Sequence, residues 1–383
     1  MKSTGFAGNE RHFYIDALRV IAVLLMFVFH VSMIFVAESG WHIKNTEQSS
    51  VLLEVNTFLS FFRMPLLFFV SGYISAMLLT RLSWKEFLNQ RFQRLIIPLL
   101  LWTFILVAPQ IYFERKLSGY DSSYLEFYKT FLQFEWYPDG NFHWLHLWFI
   151  PYLFVYNLLL IPFFLFFKKP IFFTPSLEKK HSGLIFIFSY IFIASLPYAF
   201  LTIKLPASYD LIHDYARHSF YFPFVVAGLV FFRFNGFVQL IEKNLTSILR
   251  YAFLITLFIF TLEWNDWDPS HVWGNWIEMP QTYLYFILLN SNSWLWVLAC
   301  LGYGKRYLNK ESAFFKYANQ AVYPFYILHQ TVIVVIGYYV VQTSDNVAFK
   351  YLFILIVCFC LCAFIYHLFI RPFPLIRYLF GSK

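Results

Sequence analysis

The sequence predicts an all-α fold: a polytopic transmembrane helical bundle of about ten spans, with both termini on the cytoplasmic side. Three observations carry that prediction. The chain is 60% hydrophobic and only 13% charged. A soluble domain cannot hide so much apolar surface, and in lipid the backbone must satisfy its own polar groups, which selects helices. Apolar runs recur near 14–37, 57–80, 95–113, 145–167, 183–203, 217–234, 250–264, 281–301, 321–341 and 348–370. Finally, the basic residues are placed unevenly: with the termini inside, 20 of the 29 Lys and Arg fall on inner segments and Arg19 sits at the inner rim. That is the positive-inside pattern. The net charge of +8 is therefore a topological signal, and nucleic acid is not an expected partner. No interhelical stretch is long enough for a soluble appendage, so residues 1–383 read as one membrane-embedded domain surrounded by membrane lipids.

The first run reads as a retained transmembrane helix rather than a cleavable leader, since it is long and no small-x-small site follows it. Its only ionisable side chains are Asp16, Arg19 and His30. At about 100° per residue, an eleven-residue separation closes to roughly 20°, so Arg19 and His30 project the same way, about 16 Å apart along the axis. Ionisable groups at that depth cost roughly 3 kcal/mol or more each and mark function. Asp16, one turn before Arg19, is placed to orient the guanidinium.

The second run, FFRMPLLFFVSGYISAMLL, sets Arg63, Ser71 and Gly72 among apolar neighbours. A basic inner segment follows, in which Arg91 and Arg94 share a helical face. Topology alone accounts for such charges, and phosphate binding is the alternative. The outer loop ending YPDGNFHWLHLWFIP gathers Trp136, Tyr137, Phe142, Trp144 and Trp148 around His143 and His146. Either an interfacial aromatic belt or a sugar-stacking surface fits that composition. Trp41 and His42, just past the first run, and His146 and Trp148 are the candidate acceptor-binding residues.

Farther along, 217–234 opens on Arg217 and His218, and 250–264 is short, so either run could be tilted or re-entrant. The outer loop 263–280 holds acids but no Lys or Arg. Cys358, Cys360 and Cys362 alternate along a helix, which turns Cys360 away from the other two, so packing rather than metal binding is expected. His329, in PFYILHQ, reads alone as a packing histidine.

Taken together, five blocks resemble the integral-membrane acyltransferase family of type 3. They are RHFYIDALRVIAVLLMFVFH, which carries the Arg-x10-His signature at Arg19 and His30, then RMPLLFFVSGY, NQRFQRLIIPLL, HLWFIPYLFVY and YPFYILHQ. The likeness covers nearly the whole chain and is to stand-alone members, without the family's periplasmic hydrolase-like extension. It implies transfer of an acyl group, acetyl or succinyl, from cytosolic acyl-CoA to a hydroxyl of an extracytoplasmic glycan or glycolipid at the bacterial inner membrane. Acyl-CoA would be a co-substrate, with no permanently bound cofactor. Arg19, Arg91 and Arg94 would hold its phosphates, with Arg63 and Ser71 near the thioester as possible oxyanion donors. His30, with Arg19 and Asp16, would form the catalytic group, and His30 would act as general base or, in a variant, as acyl carrier. One continuous channel is expected to join Arg19 to His30, which lies roughly 24 Å along a helix entering near Tyr14. The rival class is a proton-coupled transporter or a glycan or lipid exporter, using Arg19 and His30 as an intramembrane relay.

Overall fold

The computed structural model describes residues 12–37, 40–166, 180–205 and 207–382. Of the basic residues assigned to inner segments, Lys2, Arg11, Lys168, Lys169, Lys179, Lys383 and the Lys180 side chain lie outside it. The described chain is helical almost throughout. The first crossing is α1 (Phe13–Ser32); α2 (Ser50–Ser60) and α3 (Arg63–Leu79) form the second, and α4 (Trp84–Arg91), α5 (Ile97–Trp102) and α6 (Ala108–Leu117) the third. A surface helix, α7 (Tyr124–Phe131), precedes α8 (Phe149–Phe166), α9 (Lys180–Lys204), α10 (Tyr215–Arg233) and α11 (Asn235–Trp264). After a short α12 (Pro269–Val272) come α13 (Pro280–Leu308), α14 (Ala313–Val340), α15 (Val347–Ile365) and a short α16 (Pro374–Leu379).

Among the described residues, 9 helical stretches are long and apolar enough to cross a membrane. The run expected at 217–234 is α10, whose polar opening at Arg217 and His218 lowers its hydropathy. Its neighbours settle its direction. Phe68 meets Tyr221 at 4.6 Å and Tyr73 meets Phe232 at 5.3 Å, so α10 runs parallel to α3. Parallel too are α3 and α8, through Phe68–Phe149 and Ser75–Asn157, and α1 and α14, through Arg19–Asn319 and His30–His329. Antiparallel pairs join α11 to α13 (Glu242–Lys305, Glu263–Tyr285) and α14 to α15 (Tyr317–Tyr366, Val332–Cys358). Ten alternating helices satisfy every one of these pairs, with α10 as the sixth. The weak run at 250–264 is the second half of the 30-residue α11.

Close backbone approach fixes the α3–α10 seam. A Cβ on Gly72 would fall 2.1 Å from the Val225 carbonyl oxygen, and one on Gly228 would fall 2.2 Å from that of Phe69. Lipid offers no hydrophobic drive between helices, so such small-residue contacts supply the packing. Along α15, Cys358 and Cys362 are buried while Cys360 is exposed, the divergence expected from their spacing. The chain's far end folds back onto the third crossing: Trp102 Nε1 donates to the Leu379 carbonyl at 2.9 Å and its ring packs on Phe380.

Candidate active site

Both polar groups of α1 face α14. The Arg19 guanidinium donates to the backbone carbonyl of Asn319 at 3.1 Å and to its side-chain oxygen. The Asn319 amide in turn donates to Asp16 Oδ1 at 2.9 Å. Asn319 therefore bridges the acid and the base, and Asp16 helps to orient Arg19 through it. Three turns farther on, His30 Nδ1 lies 2.7 Å from His329 Nε2. His329 is 0% exposed, and its Nδ1 lies 2.6 Å from the Tyr326 carbonyl. A third imidazole, His146, stands edge-on to His329 at 5.6 Å, bonded through Nε2 to the Ile327 carbonyl at 3.1 Å.

Toward the end of α1, His30 meets the Trp41 indole at 5.1 Å. Beyond Trp41, His42 is paired with Glu114, which also accepts from the Tyr137 hydroxyl at 2.9 Å. Arg115 ties this loop to α6 by donating to Asn141 Oδ1 and to the carbonyls of Pro138 and Gly140. His143 is buried there against Trp136 and accepts from the Leu145 N–H at 2.8 Å. Burial, and then the facing charge of His42, hold the His143 imidazole down to about 4.

At the other end of the bundle lies a cavity of about 550 Å³. Arg19, Arg91, Arg94, Arg371 and Arg377 line it, together with Ser71, Asn319 and Tyr323. Arg91 is anchored by donating to Ser75 Oγ at 2.8 Å, and Ser75 in turn donates to Asn157 Oδ1 at 2.7 Å. Around the cavity, Arg91 Nε, Arg377 Nε and the Tyr323 hydroxyl are buried without a hydrogen-bond partner. Buried donors are seldom left so, and a volume lined by guanidiniums is suited to an anion. Gly381 closes the rim with φ +65°, where a Cβ would lie 2.4 Å from the Arg94 carbonyl oxygen. Only glycine combines that backbone conformation with that approach.

The structure thus gathers Arg19, Arg91, Arg94 and Ser71 at one site, and His30, Trp41, His42 and His146 at another. Two of the candidate residues lie elsewhere. Arg63 is absent from the cavity lining; its guanidinium lies over the Phe29 ring at 3.3 Å, at the histidine end. Trp148 stands apart from Trp41 and His42, packed on Tyr152, Tyr221 and Phe68 and facing Arg217 at 5.6 Å. The expected continuous channel is also interrupted. The cavity's apolar lining includes Val23, Leu67, Phe149 and Tyr326, and His30 is not part of it. Tyr326 fills the gap, with its hydroxyl donating to the His146 carbonyl at 2.6 Å and its ring 5.9 Å from that of His329.

Asn319, Tyr323, Arg371 and Arg377 were not singled out from sequence. The two arginines were counted only as inner-side charge. Asn319 precedes His329 by ten residues, nearly the spacing of Arg19 and His30, and that parallel was the available signal.

The profile of the acyltransferase domain family, type 3, matches residues 12–367. The chain belongs to this family. It is a membrane acyltransferase. Among curated proteins it is similar to the glucans biosynthesis protein C of Shigella dysenteriae serotype 1 and that of Escherichia coli K12. Each is 25% identical over 386 residues, covering 98% of this chain and 95% of the relative. No solved structure matches it.

Proposed function

We propose that this acyltransferase takes an acetyl or succinyl group from acyl-CoA on the cytosolic side of the bacterial inner membrane. It passes the group to a hydroxyl of an extracytoplasmic glycan or glycolipid. The observation that carries this reading is the cavity lined by five arginines at the end of the bundle where α1 begins and α16 ends. Coenzyme A presents a diphosphate and a 3′-phosphate, and forked guanidiniums match such oxygens in shape and charge. The names of the curated relatives, which concern glucan biosynthesis, favour a glycan acceptor.

In the proposed reaction His30 takes the acceptor's hydroxyl proton as the oxygen attacks the thioester carbonyl. Arg63, one ring away from His30 through Phe29, supplies the cation for the oxyanion in this reading. The tetrahedral intermediate then expels the thiolate. Since Tyr326 stands between the cavity and His30, the thioester arm passes only after that ring swings aside. Trp41, His42, Glu114 and Tyr137 offer an aromatic and acidic surface for the sugar.

Purified protein in detergent should transfer label from acyl-CoA, since chemistry, unlike transport, needs no sealed membrane. His30→Ala should abolish transfer while expression and folding are retained; full activity in that variant overturns the assignment of the base. Mass spectrometry of glycans from a deletion strain and its parent would identify the acyl group by its mass.

A further inference from the structure

We infer that His329 is a positioning residue that fixes the tautomer of His30, leaving His30 Nε2 as the nitrogen that takes the acceptor's proton. The inference rests on the reading of His30 as general base. It follows from hydrogen-bond chemistry. The Tyr326 carbonyl, 2.6 Å from His329 Nδ1, can only accept, so Nδ1 carries the hydrogen. A neutral imidazole has one N–H, which makes His329 Nε2 a bare acceptor. Facing it at 2.7 Å, His30 Nδ1 must then donate. The remaining nitrogen of His30, Nε2, keeps its lone pair.

The geometry suits that assignment. The two rings lie within 5° of a common orientation with centroids 5.0 Å apart, side by side rather than face to face, so the N–H runs along the partner's lone pair. His329 is itself held in place. Its ring is parallel to that of Phe325 and meets Phe27 edge-on. Opposite, His146 donates from Nε2 to the Ile327 carbonyl, so the one hydrogen of its neutral ring is spent there and none is directed at His329.

The proton count closes around this pair. The acceptor O–H gives its proton to His30 Nε2 while the new C–O bond forms. The C–S bond then breaks, and the departing sulfur takes the proton back from Nε2. In between, the imidazolium still donates from Nδ1 to His329, and that bond becomes charge-assisted and stronger. His329 cannot pass a proton onward, because its own N–H ends on a carbonyl. The pair therefore orients a base and does not form a wire across the membrane, which weighs against the relay expected of a transporter.

The test uses the full-length protein. His329→Phe keeps a flat ring beside Phe325 and removes the acceptor; His329→Gln returns a carbonyl oxygen near the position of Nε2. We expect kcat to fall about 100-fold in the first variant and by less than about 10-fold in the second, as for loss and partial recovery of an oriented base. KM for acyl-CoA should be unchanged in both. Nitrogen-15 NMR of labelled histidines in lipid bilayers, with His30→Ala to assign the signal, should find the wild-type His30 hydrogen on Nδ1. Wild-type kcat in His329→Phe, or a His30 hydrogen on Nε2, overturns the inference. If His329→Phe does not fold, the glutamine variant and the wild-type spectrum decide it. Activity retained in His30→Ala would instead sink the base itself, so the two failures are distinct.

Discussion

Arg19 combines two tasks that a single lysine could not. One nitrogen, Nη2, bonds two oxygens of Asn319, while the rest of the guanidinium lines the cavity. Arg19→Lys keeps the charge and loses the fork. The expected outcome is a rise in KM for acyl-CoA of about tenfold, which is about 1.4 kcal/mol of binding, with kcat much less affected. Steady-state kinetics against acyl-CoA concentration would check this, and an unchanged KM would remove Arg19 from the donor site. The shared face of Arg19 and His30 was legible because an eleven-residue separation nearly closes three helical turns. What faces them was not. Asn319 and His329 lie some 300 residues away in sequence, and periodicity assigns a residue to a face without saying what packs against it. His329 illustrates the limit: alone on its helix it reads as packing, and only the partner across the interface gives it chemistry.

Among the described residues, two crossings contain wide π-helical turns: the third at Phe92–Ile96 and again at Thr103–Val107, and the last at Tyr366–Ile370. Each ends two residues before a proline: Pro98, Pro109 and Pro372. A proline ring clashes with the carbonyl one turn back and supplies no N–H to it, and widening the turn relieves the clash. The first and last of these turns flank the cavity with Arg94 and Arg371. A reading at 3.6 residues per turn finds the helices but not these widenings, which is why Arg371 and Arg377 stayed hidden among ordinary topological charges. The outer loop makes a different prediction. His143 is buried at 8% exposure and held near 4, against 6.5 for a free imidazole. Above about pH 6.5 both the closed and the opened loop hold it neutral, and nothing is lost. Between that pH and about 4 only the opened loop binds the proton, so the closed loop loses stability as pH falls, by roughly 3 kcal/mol in all. Amide hydrogen exchange across residues 134–145, corrected for intrinsic rates, should show weaker protection at pH 4.5 than at pH 7. His143→Asn keeps an acceptor for the Leu145 N–H and has no proton to gain, so its acid sensitivity should be smaller. Equal acid sensitivity in the two proteins would remove His143 as its cause.

Of the ten apolar runs, nine fall on described helices long and apolar enough to cross a membrane, and the sixth, α10, falls short on hydropathy. α10 carries Arg217 and His218 in its first turn, where Asp214, buried and 3.0 Å from Arg217 Nε, absorbs the charge. Helix direction recovers what hydropathy misses: α3, α8 and α10 are mutually aligned, as the second, fourth and sixth crossings must be. One consequence is that the start of α1 and the chain's end at α16 share one end of the bundle, and both contribute arginines to the same cavity. If that end faces the cytosol, as the basic loops argue, a charged donor reaches its site without crossing lipid. Sidedness can be tested with single cysteines at exposed positions and a membrane-impermeant maleimide in spheroplasts. Ser118→Cys, after α6, should react in intact spheroplasts, whereas Glu311→Cys, between α13 and α14, should react only once the membrane is opened. The native cysteines lie within helices α13 and α15 and give the background to subtract. The reverse pattern would turn the five arginines outward, where no cytosolic thioester can reach them, and the proposed direction of transfer would fall with it.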